Sequence, residues 1–181
     1  MNKDLKIIAI ETLKILIKKS WSNLSIKQIK VKSRVKLFSN LIKNKQELLN
    51  NINSYFDYNL ILNSKKIENS KSKDMIFEIL MMRFDLLQDN RKAILSIFKS
   101  FRSNPKELVF MIPKLLISVE TMLNCVKISS KGIVGKIKIK GILIIYLTTF
   151  LVWIGDETES LEKTMTFLDN SLDQIEKLFK L

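Results

Sequence analysis

"SNLSIKQIKVKSRVKLFSNLIKNKQELL" (residues 22–49) contains the start signals of successive short helices and no glycine. Ser25 and Gln28 have the spacing of a capping box, in which the serine oxygen accepts from the free amides of a new helix while Gln28 reaches back. Asn44 and Glu47 repeat the pattern before a longer apolar run. The two boxes predict one short helix and one long helix, with a third helix between them.

The middle helix of this stretch is predicted from its apolar spacing. Ser33 is expected to cap it, and Val35, Phe38 and either Leu41 or Ile42 would face inward. Short helices in this order, with apolar inner positions, are typical of a helix-turn-helix domain.

The outer positions of the same stretch are basic or small and polar. Seven bases and no acid lie between Leu24 and Lys45, which is the charge density needed to lie on phosphates with one helix in a major groove. A solvated lysine-rich face is the alternative interpretation. Arg34 and Asn40 are expected on the third helix, the candidate recognition helix, and are best shaped for bidentate base contacts. The predicted DNA-binding residues are Lys27, Lys30, Lys32, Ser33, Arg34, Lys36, Ser39, Asn40, Lys43 and Lys45.

The charge of the whole chain is concentrated in its first part. The formal net charge is +13, and residues 1–73 contain 16 bases and five acids, whereas the remaining residues contain 15 bases and 13 acids. This asymmetry indicates that the N-terminal part meets a polyanion, either nucleic acid or an anionic membrane surface. The excess of Lys, Ile and Asn over Arg also fits mutational drift in an A+T-rich genome.

The rest of the chain is helical in pattern, so an all-α protein of about nine helices is predicted. A helix-turn-helix domain (1–46) is expected to pack on a ligand-binding and dimerisation bundle (47–181). Pro113 should kink its helix, because it lacks an amide and its ring crowds the preceding turn. Beyond the polar segment 63–74, the helical patterns cover residues 75–88, 91–102, 105–127, 134–154 and 158–180.

The last helix has the most regular apolar stripe. Its apolar residues are separated by alternating steps of four and three, the spacing of a knobs-into-holes seam. Such a stripe serves either the core of its own chain or a partner subunit, and a homodimer is predicted. The interface residues are Leu161, Met165, Leu168, Leu172 and Ile175.

Large and flexible side chains in the second half suggest an adaptable apolar ligand pocket. Ordinary core packing is the alternative. The predicted pocket residues are Met81, Phe84, Phe110, Met111, Met122 and Trp153.

Several classes of function are disfavoured by composition. The chain has no His and a single Cys125, which leaves no Ser-His-Asp system and no metal site, so an enzyme is not expected and no cofactor is predicted. The lone cysteine and the lack of a signal peptide pattern predict a cytoplasmic protein. The longest uncharged run, residues 141–155, is shorter than the roughly 20 residues that cross a bilayer, so no transmembrane segment is expected.

The order "IIAIETLKILIKKSWSNLSIKQI" followed by "NLIKNKQELLNNI" resembles the N-terminal domain of TetR-type transcriptional regulators. The segments "SNPKELVFMIPKLLISVETML" and "FLVWIGDETESLEKTMTFLDNSLDQIEKL" are similar to the ligand-binding domain of that family and to the related ubiquinone-biosynthesis lipid-binding proteins. The chain is about two residues short of the family pattern between Leu24 and Leu49, and it lacks the small residue or glycine in the turn. By this resemblance, Lys45 would contact a DNA phosphate at the start of helix 4.

These observations predict a TetR-like regulator that binds double-stranded DNA and responds to a small apolar ligand. The alternative is a lipid-binding accessory protein with the same fold that no longer reads DNA and uses its lysines near an anionic membrane.

Overall fold

The computed structural model describes the backbone of residues 1–179 and the side chains of residues 1–175. In this part of the chain there are nine α-helices, one turn of 3-10 helix at Ser64–Lys66 and no strand, which confirms the predicted all-α class. The helices are α1 (Lys3–Leu16), α2 (Ile26–Ser33), α3 (Phe38–Leu41), α4 (Lys45–Asn63), α5 (Ser72–Gln88), α6 (Arg91–Ser103), α7 (Pro105–Cys125), α8 (Gly132–Gly155) and α9 (Glu162–Phe179).

The predicted helix starts at α2 and α4 are present. The Gln28 amide donates to the Ser25 hydroxyl at 3.3 Å and the Gln28 side chain accepts from the Ser25 amide, which confirms the capping box. At α4 the Glu47 amide donates to Asn44 at 2.8 Å, but the Glu47 carboxylate accepts from the amide of Lys43. Asn44 therefore caps α4 as predicted, but the reciprocal bond of the box goes to the amide of Lys43 and not to that of Asn44.

Two compact units are formed by packing. Unit 1 consists of residues 1–59 and 87–114, and unit 2 consists of residues 60–86 and 115–181. The boundaries fall inside α4, α5 and α7, so helices rather than loops connect the units. The predicted domains, 1–46 and 47–181, were based on sequence patterns and not on packing, and they stay a prediction.

Unit 1 is built around α1, which packs against α2 and α6. Ile8 of α1 and Ile29 of α2 are fully buried, and so is Trp21 in the loop that joins these helices. The Asn51 side chain of α4 donates to the Leu5 carbonyl at 2.9 Å, which fastens α4 to α1. The buried residues of α1, including Leu13 and Leu16, thus face this core.

Unit 2 is built around α8 and α9, which pack against each other. Both helices begin at residues other than the predicted ones: α8 at Gly132 and α9 at Glu162. At Gly135 a Cβ atom would lie 2.1 Å from the Ser130 carbonyl carbon, so only glycine allows this helix to pass the preceding loop. α7 continues through Pro113 without interruption, and the kink expected there stays a prediction.

Candidate functional site

The basic surface predicted from sequence begins on α2. Lys27, Lys30 and Lys32 are exposed there, whereas Ser33 is buried in the last turn and its hydroxyl donates to the Lys30 carbonyl at 3.4 Å. Ser33 therefore closes α2, and the prediction that it caps the third helix is wrong. A buried hydroxyl bonded to its own helix is also unavailable to DNA.

Arg34 adopts the left-handed backbone conformation, with φ of 54°, directly after α2. This conformation reverses the chain and favours glycine, since a Cβ atom crowds the next carbonyl. The turn that usually contains a small residue or glycine in TetR-type domains is thus formed here by arginine. Arg34 lies in this turn and not on the third helix, so the placement expected from sequence is wrong.

The third helix, α3, is a single turn of four residues. Phe38 is buried beneath it, and only Ser39 and Asn40 are fully exposed on it. The Lys30 ammonium donates to the Ser39 hydroxyl at 3.2 Å, which joins α2 to α3. A helix of four residues rises about 6 Å, so it presents one turn to a DNA groove.

Lys45 at the start of α4 is engaged within the protein. Its ammonium donates to the backbone carbonyls of Trp21 at 2.8 Å and Ser22 at 3.1 Å, and it lies 5.7 Å from the centre of the Trp21 ring. The Trp21 indole in turn donates to Glu107 at 3.1 Å. The lysine that the family resemblance assigns to phosphate contact therefore holds the loop between α1 and α2. Lys36 and Lys43 remain exposed on the same surface.

Most of the predicted dimer residues lie inside the chain. Leu161, Leu168 and Leu172 are at most 1% exposed, so they cannot meet a second subunit without unpacking. Met165 is 39% exposed and Ile175 is half-buried. The regular seam of α9 is therefore mainly core of its own chain.

The six predicted pocket residues are divided between the two units, and their role as a pocket stays a prediction. Phe110 and Met111 belong to unit 1, and Phe110 is 63% exposed, whereas Met81, Phe84, Met122 and Trp153 belong to unit 2. Phe84 packs against the Tyr146 ring with centroids 5.5 Å apart. Apart from Phe110 and the half-buried Met81, these side chains are buried in ordinary core positions.

An apolar cleft of about 180 Å³ occurs elsewhere in unit 2. It is lined by Ile76, Leu123, Ile128, Val134, Ile137, Lys138, Gly141, Ile142 and Ile175. Among the described lining residues, Lys138 is the one charged residue, and the other side chains are aliphatic. This cleft was not predicted, because the pocket residues expected from sequence were methionine and aromatic residues, whereas the cleft is lined by aliphatic ones. The signal present in the sequence is the segment "GIVGKIKIKGI" (residues 132–142), in which three glycines and three lysines alternate with aliphatic residues.

Ion pairs fix two walls of the cleft relative to each other. The Lys73 ammonium on α5 contacts the carboxylates of Asp169, at 2.9 Å, and Asp173 on α9. Hydrogen bonds to Asp173 and then Asp169 raise the pKa of Lys73 above its usual value. Because Ile76 follows one turn after Lys73 and Ile175 follows shortly after Asp173, the pairs lie beside the cleft.

A second feature of α8 is a row of exposed aliphatic residues. Ile133, Ile137, Ile144 and Leu151 share one helical face and are 50–80% exposed, and Ile137 also lines the cleft. By length and composition, α7 and α8 are each sufficient to cross a bilayer, and less than half of the most apolar window of each is buried. α8 extends further than the uncharged run 141–155 considered from sequence.

The loop between α8 and α9 is organised by Asp156, which is fully buried. Its carboxylate accepts from the Thr158 amide and hydroxyl and, at 2.8 Å each, from the Thr164 amide and hydroxyl. Burial alone would raise the pKa of Asp156, but these hydrogen bonds outweigh it and lower the pKa to about 2. Asp156 thus closes the loop before α9, which starts at Glu162. No group of three or more His, Cys, Asp or Glu suitable for a metal occurs among the residues described.

Comparison with known proteins defines the class of fold. The crystal structure of a TetR transcriptional regulator from Nitrosomonas europaea superposes with a TM-score of 0.71 at 17% sequence identity, over 96% of this chain and 98% of that one. The chain therefore has the TetR-like fold.

The family described as COQ9 matches residues 140–179, which comprise most of α8 and all of α9. The chain is thus similar to COQ9 in the helices that contain Gly141, Ile142 and Ile175 of the cleft. No protein with curated information matches the sequence at a significant level.

Proposed function

We propose that this protein is a lipid-binding protein with a TetR-like fold, which takes an apolar chain into the cleft of unit 2. The cleft carries the proposal, because its lining is aliphatic except for Lys138. An aliphatic wall favours hydrocarbon, and a single ammonium at such a site favours an anionic end group. A ligand of this chemistry is an amphiphile such as a fatty acid.

Two further observations support this proposal over DNA reading. The match to COQ9 covers Gly141, Ile142 and Ile175 of the lining, and the related proteins that the sequence resembles bind lipids. In addition, α3 has four residues and Lys45 is bonded within its own unit. The parts that a DNA-reading relative would use are thus reduced.

The glycines of α8 allow a direct test with parinaric acid, a fluorescent fatty acid. A Cβ at Gly141 would lie 3.8 Å from the Ile175 side chain, at the cleft, whereas a Cβ at Gly155 meets nothing within 4 Å. Gly141→Leu should fill the cleft and lower parinaric acid affinity about tenfold, and Gly155→Leu should leave it unchanged. Lys138→Ala should lower the affinity for parinaric acid but not for its methyl ester, because only the carboxylate pairs with the ammonium group.

Equal binding by the wild type and Gly141→Leu would exclude the cleft as the site. Absence of any organic-extractable lipid from the purified protein, together with no parinaric acid binding, would refute the proposed function.

A DNA-binding regulator is the second candidate, and one observation favours it. Lys27, Lys30, Lys32, Lys36 and Lys43 remain exposed on a surface that has no acid between Leu24 and Lys45. Such a surface would contact duplex phosphates as a homodimer, with the apolar ligand as its effector.

A further inference from the structure

A polar groove lies in unit 1, between α6 and the segment that leaves the end of α1. Its volume is about 450 Å³, and it is lined by four lysines, five serines, three apolar residues and no acid. The groove shares no residue with the basic surface at residues 24–45. Its lining is mostly polar, whereas the lining of the cleft in unit 2 is mostly aliphatic.

One face of α6 supplies four of the nine polar lining residues in a regular pattern. Lys92, Ser96, Lys99 and Ser103 follow each other at steps of four, three and four, which places them on the same side of the helix. Ammonium and hydroxyl groups therefore alternate along the groove. Lys18 and Lys19 face this row from the end of α1.

These donors are available. Within the residues whose side chains the structure describes, the ammonium groups of Lys18, Lys19, Lys92 and Lys99 have no hydrogen-bonded or ionic partner. The Ser96 hydroxyl oxygen accepts from the Trp21 amide at 2.8 Å, which fixes its position and leaves its proton free to donate. The groove thus presents cationic donors around a hydroxyl held by the backbone.

Glu107 accepts from the hydroxyl of Ser100, a groove residue, at 3.4 Å. Glu107 lies behind Ser100 and does not line the groove, and it accepts from the Trp21 indole at 3.1 Å and from the Asn104 side chain at 3.2 Å. Among the described residues, the lining thus contains four ammonium groups and no carboxylate, which gives the groove a surplus of positive charge.

We propose that this groove binds a phosphoryl group. A phosphate combines about two negative charges with several strong acceptor oxygens, and lysine ammonium groups with serine hydroxyls supply the matching donors. A carboxylate ligand would use fewer of them. The phosphoryl group belongs either to a phospholipid headgroup or to a soluble phosphate compound, and both have the same recognition chemistry.

The test compares two pairs of lysine substitutions with equal loss of charge. Lys92→Gln with Lys99→Gln removes two groove ammonium groups, and Lys65→Gln with Lys66→Gln removes two exposed ones from the 3-10 turn, outside the groove. Inorganic pyrophosphate is titrated by calorimetry, and co-sedimentation is measured with phosphatidylcholine vesicles with and without phosphatidylglycerol. Circular dichroism checks that both variants are folded.

The two groove substitutions should lower the affinity for the probe about tenfold, whereas the two control substitutions should lower it less than about twofold. Pyrophosphate binding lost in the groove pair supports a soluble phosphate ligand. If the wild type binds only the vesicles with phosphatidylglycerol and the groove variant does not, the ligand is a phospholipid headgroup. If both pairs of substitutions have the same effect, the attraction is one of general charge and the proposal is overturned. The proposal is also overturned if the wild type binds neither probe.

Lys18→Gln with Lys19→Gln is a second groove variant on the opposite wall. It should reproduce the loss without changing α6, and wild-type affinity in this variant would also contradict the proposal.

Discussion

Lys45 and Trp21 form the centre of a small network in unit 1. The ammonium holds two carbonyls of the loop between α1 and α2, while the Trp21 amide donates to Ser96 and its indole donates to Glu107. A charge-assisted bond of this type contributes about 1 kcal/mol or more to stability when it is partly screened. The lysine thus has a structural role that is independent of any anion.

Arg34 provides the first prediction at the residue scale. Glycine at this position should raise the free energy of unfolding by about 0.5–1 kcal/mol, because φ of 54° is costly for a residue with a Cβ atom. Lys36→Gly is the matched control, since Lys36 has negative φ and should lose stability. Chemical denaturation measures both, and a destabilised Arg34→Gly would show that the arginine side chain itself secures the turn.

Asp156 provides a prediction with a defined pH range. Its pKa in the folded chain is about 2, against an ordinary value of 3.8, so the stabilisation is complete above the ordinary value and is lost as pH falls toward the folded one. Asp156→Asn should remove this pH-dependent part and lower stability by about 1–2 kcal/mol at neutral pH through lost hydrogen bonds. Urea denaturation at pH 2.5, 4 and 7 measures it. An unchanged pH profile in Asp156→Asn would contradict this assignment.

At the scale of elements, the length of α3 limits what the basic surface can do. One turn after a left-handed Arg34 exposes Ser39 and Asn40, whereas the exposed lysines lie mostly on α2 and in the connecting segments. Lysine contacts to phosphate carry no sequence information. Base reading therefore has few groups available.

The prediction for this element is weak and non-specific DNA binding. Lys27→Ala with Lys30→Ala should lower affinity equally for unrelated duplexes and reduce the salt slope by about 0.9 per lost phosphate contact. Asn40→Ala should change affinity by less than about twofold on every sequence. Electrophoretic mobility shifts over a salt series measure both. Discrimination between duplexes by more than about tenfold, lost in Asn40→Ala, would show that α3 does read bases.

At the scale of the whole molecule, apolar surface is left uncovered in both long helices of the second half. The aliphatic row of α8 and the exposed residues of α7, including Val109 and Phe110, exceed the scattered apolar residues usual on a protein surface. A second subunit or a lipid would cover such a surface. The seam of α9 cannot serve, because its leucines are buried within the chain.

We expect a homodimer in which the row on α8 forms the contact. Ile144→Glu and Leu151→Glu change exposed residues, so each should dissociate the dimer at micromolar concentration without loss of helicity. Leu172→Glu places a charge in the core and should unfold the chain instead. Sedimentation equilibrium with circular dichroism distinguishes these outcomes. A dimer that survives both α8 substitutions would move the interface elsewhere.

Local sequence signals were sufficient for the helical class and for several boundaries. The box at Ser25 and the cap at Asn44 depend on residues three positions apart, so they can be predicted from sequence. The 3.6-residue apolar period lies within a single helix and can be predicted for the same reason. The exposure of most predicted lysines followed as well, because a charged head requires water unless it is paired.

Tertiary packing decided the features that bear on function. Trp21 meets Ser96 and Glu107, which lie 75 and 86 positions away, and these long-range contacts assemble the groove of unit 1 and commit Lys45 to the loop. Likewise, α9 has one apolar stripe and α8 has apolar residues on several faces, and packing buries the leucines of α9 while the row on α8 is exposed. Periodicity defines an apolar face, but which face is covered depends on partners that fold back from distant parts of the chain.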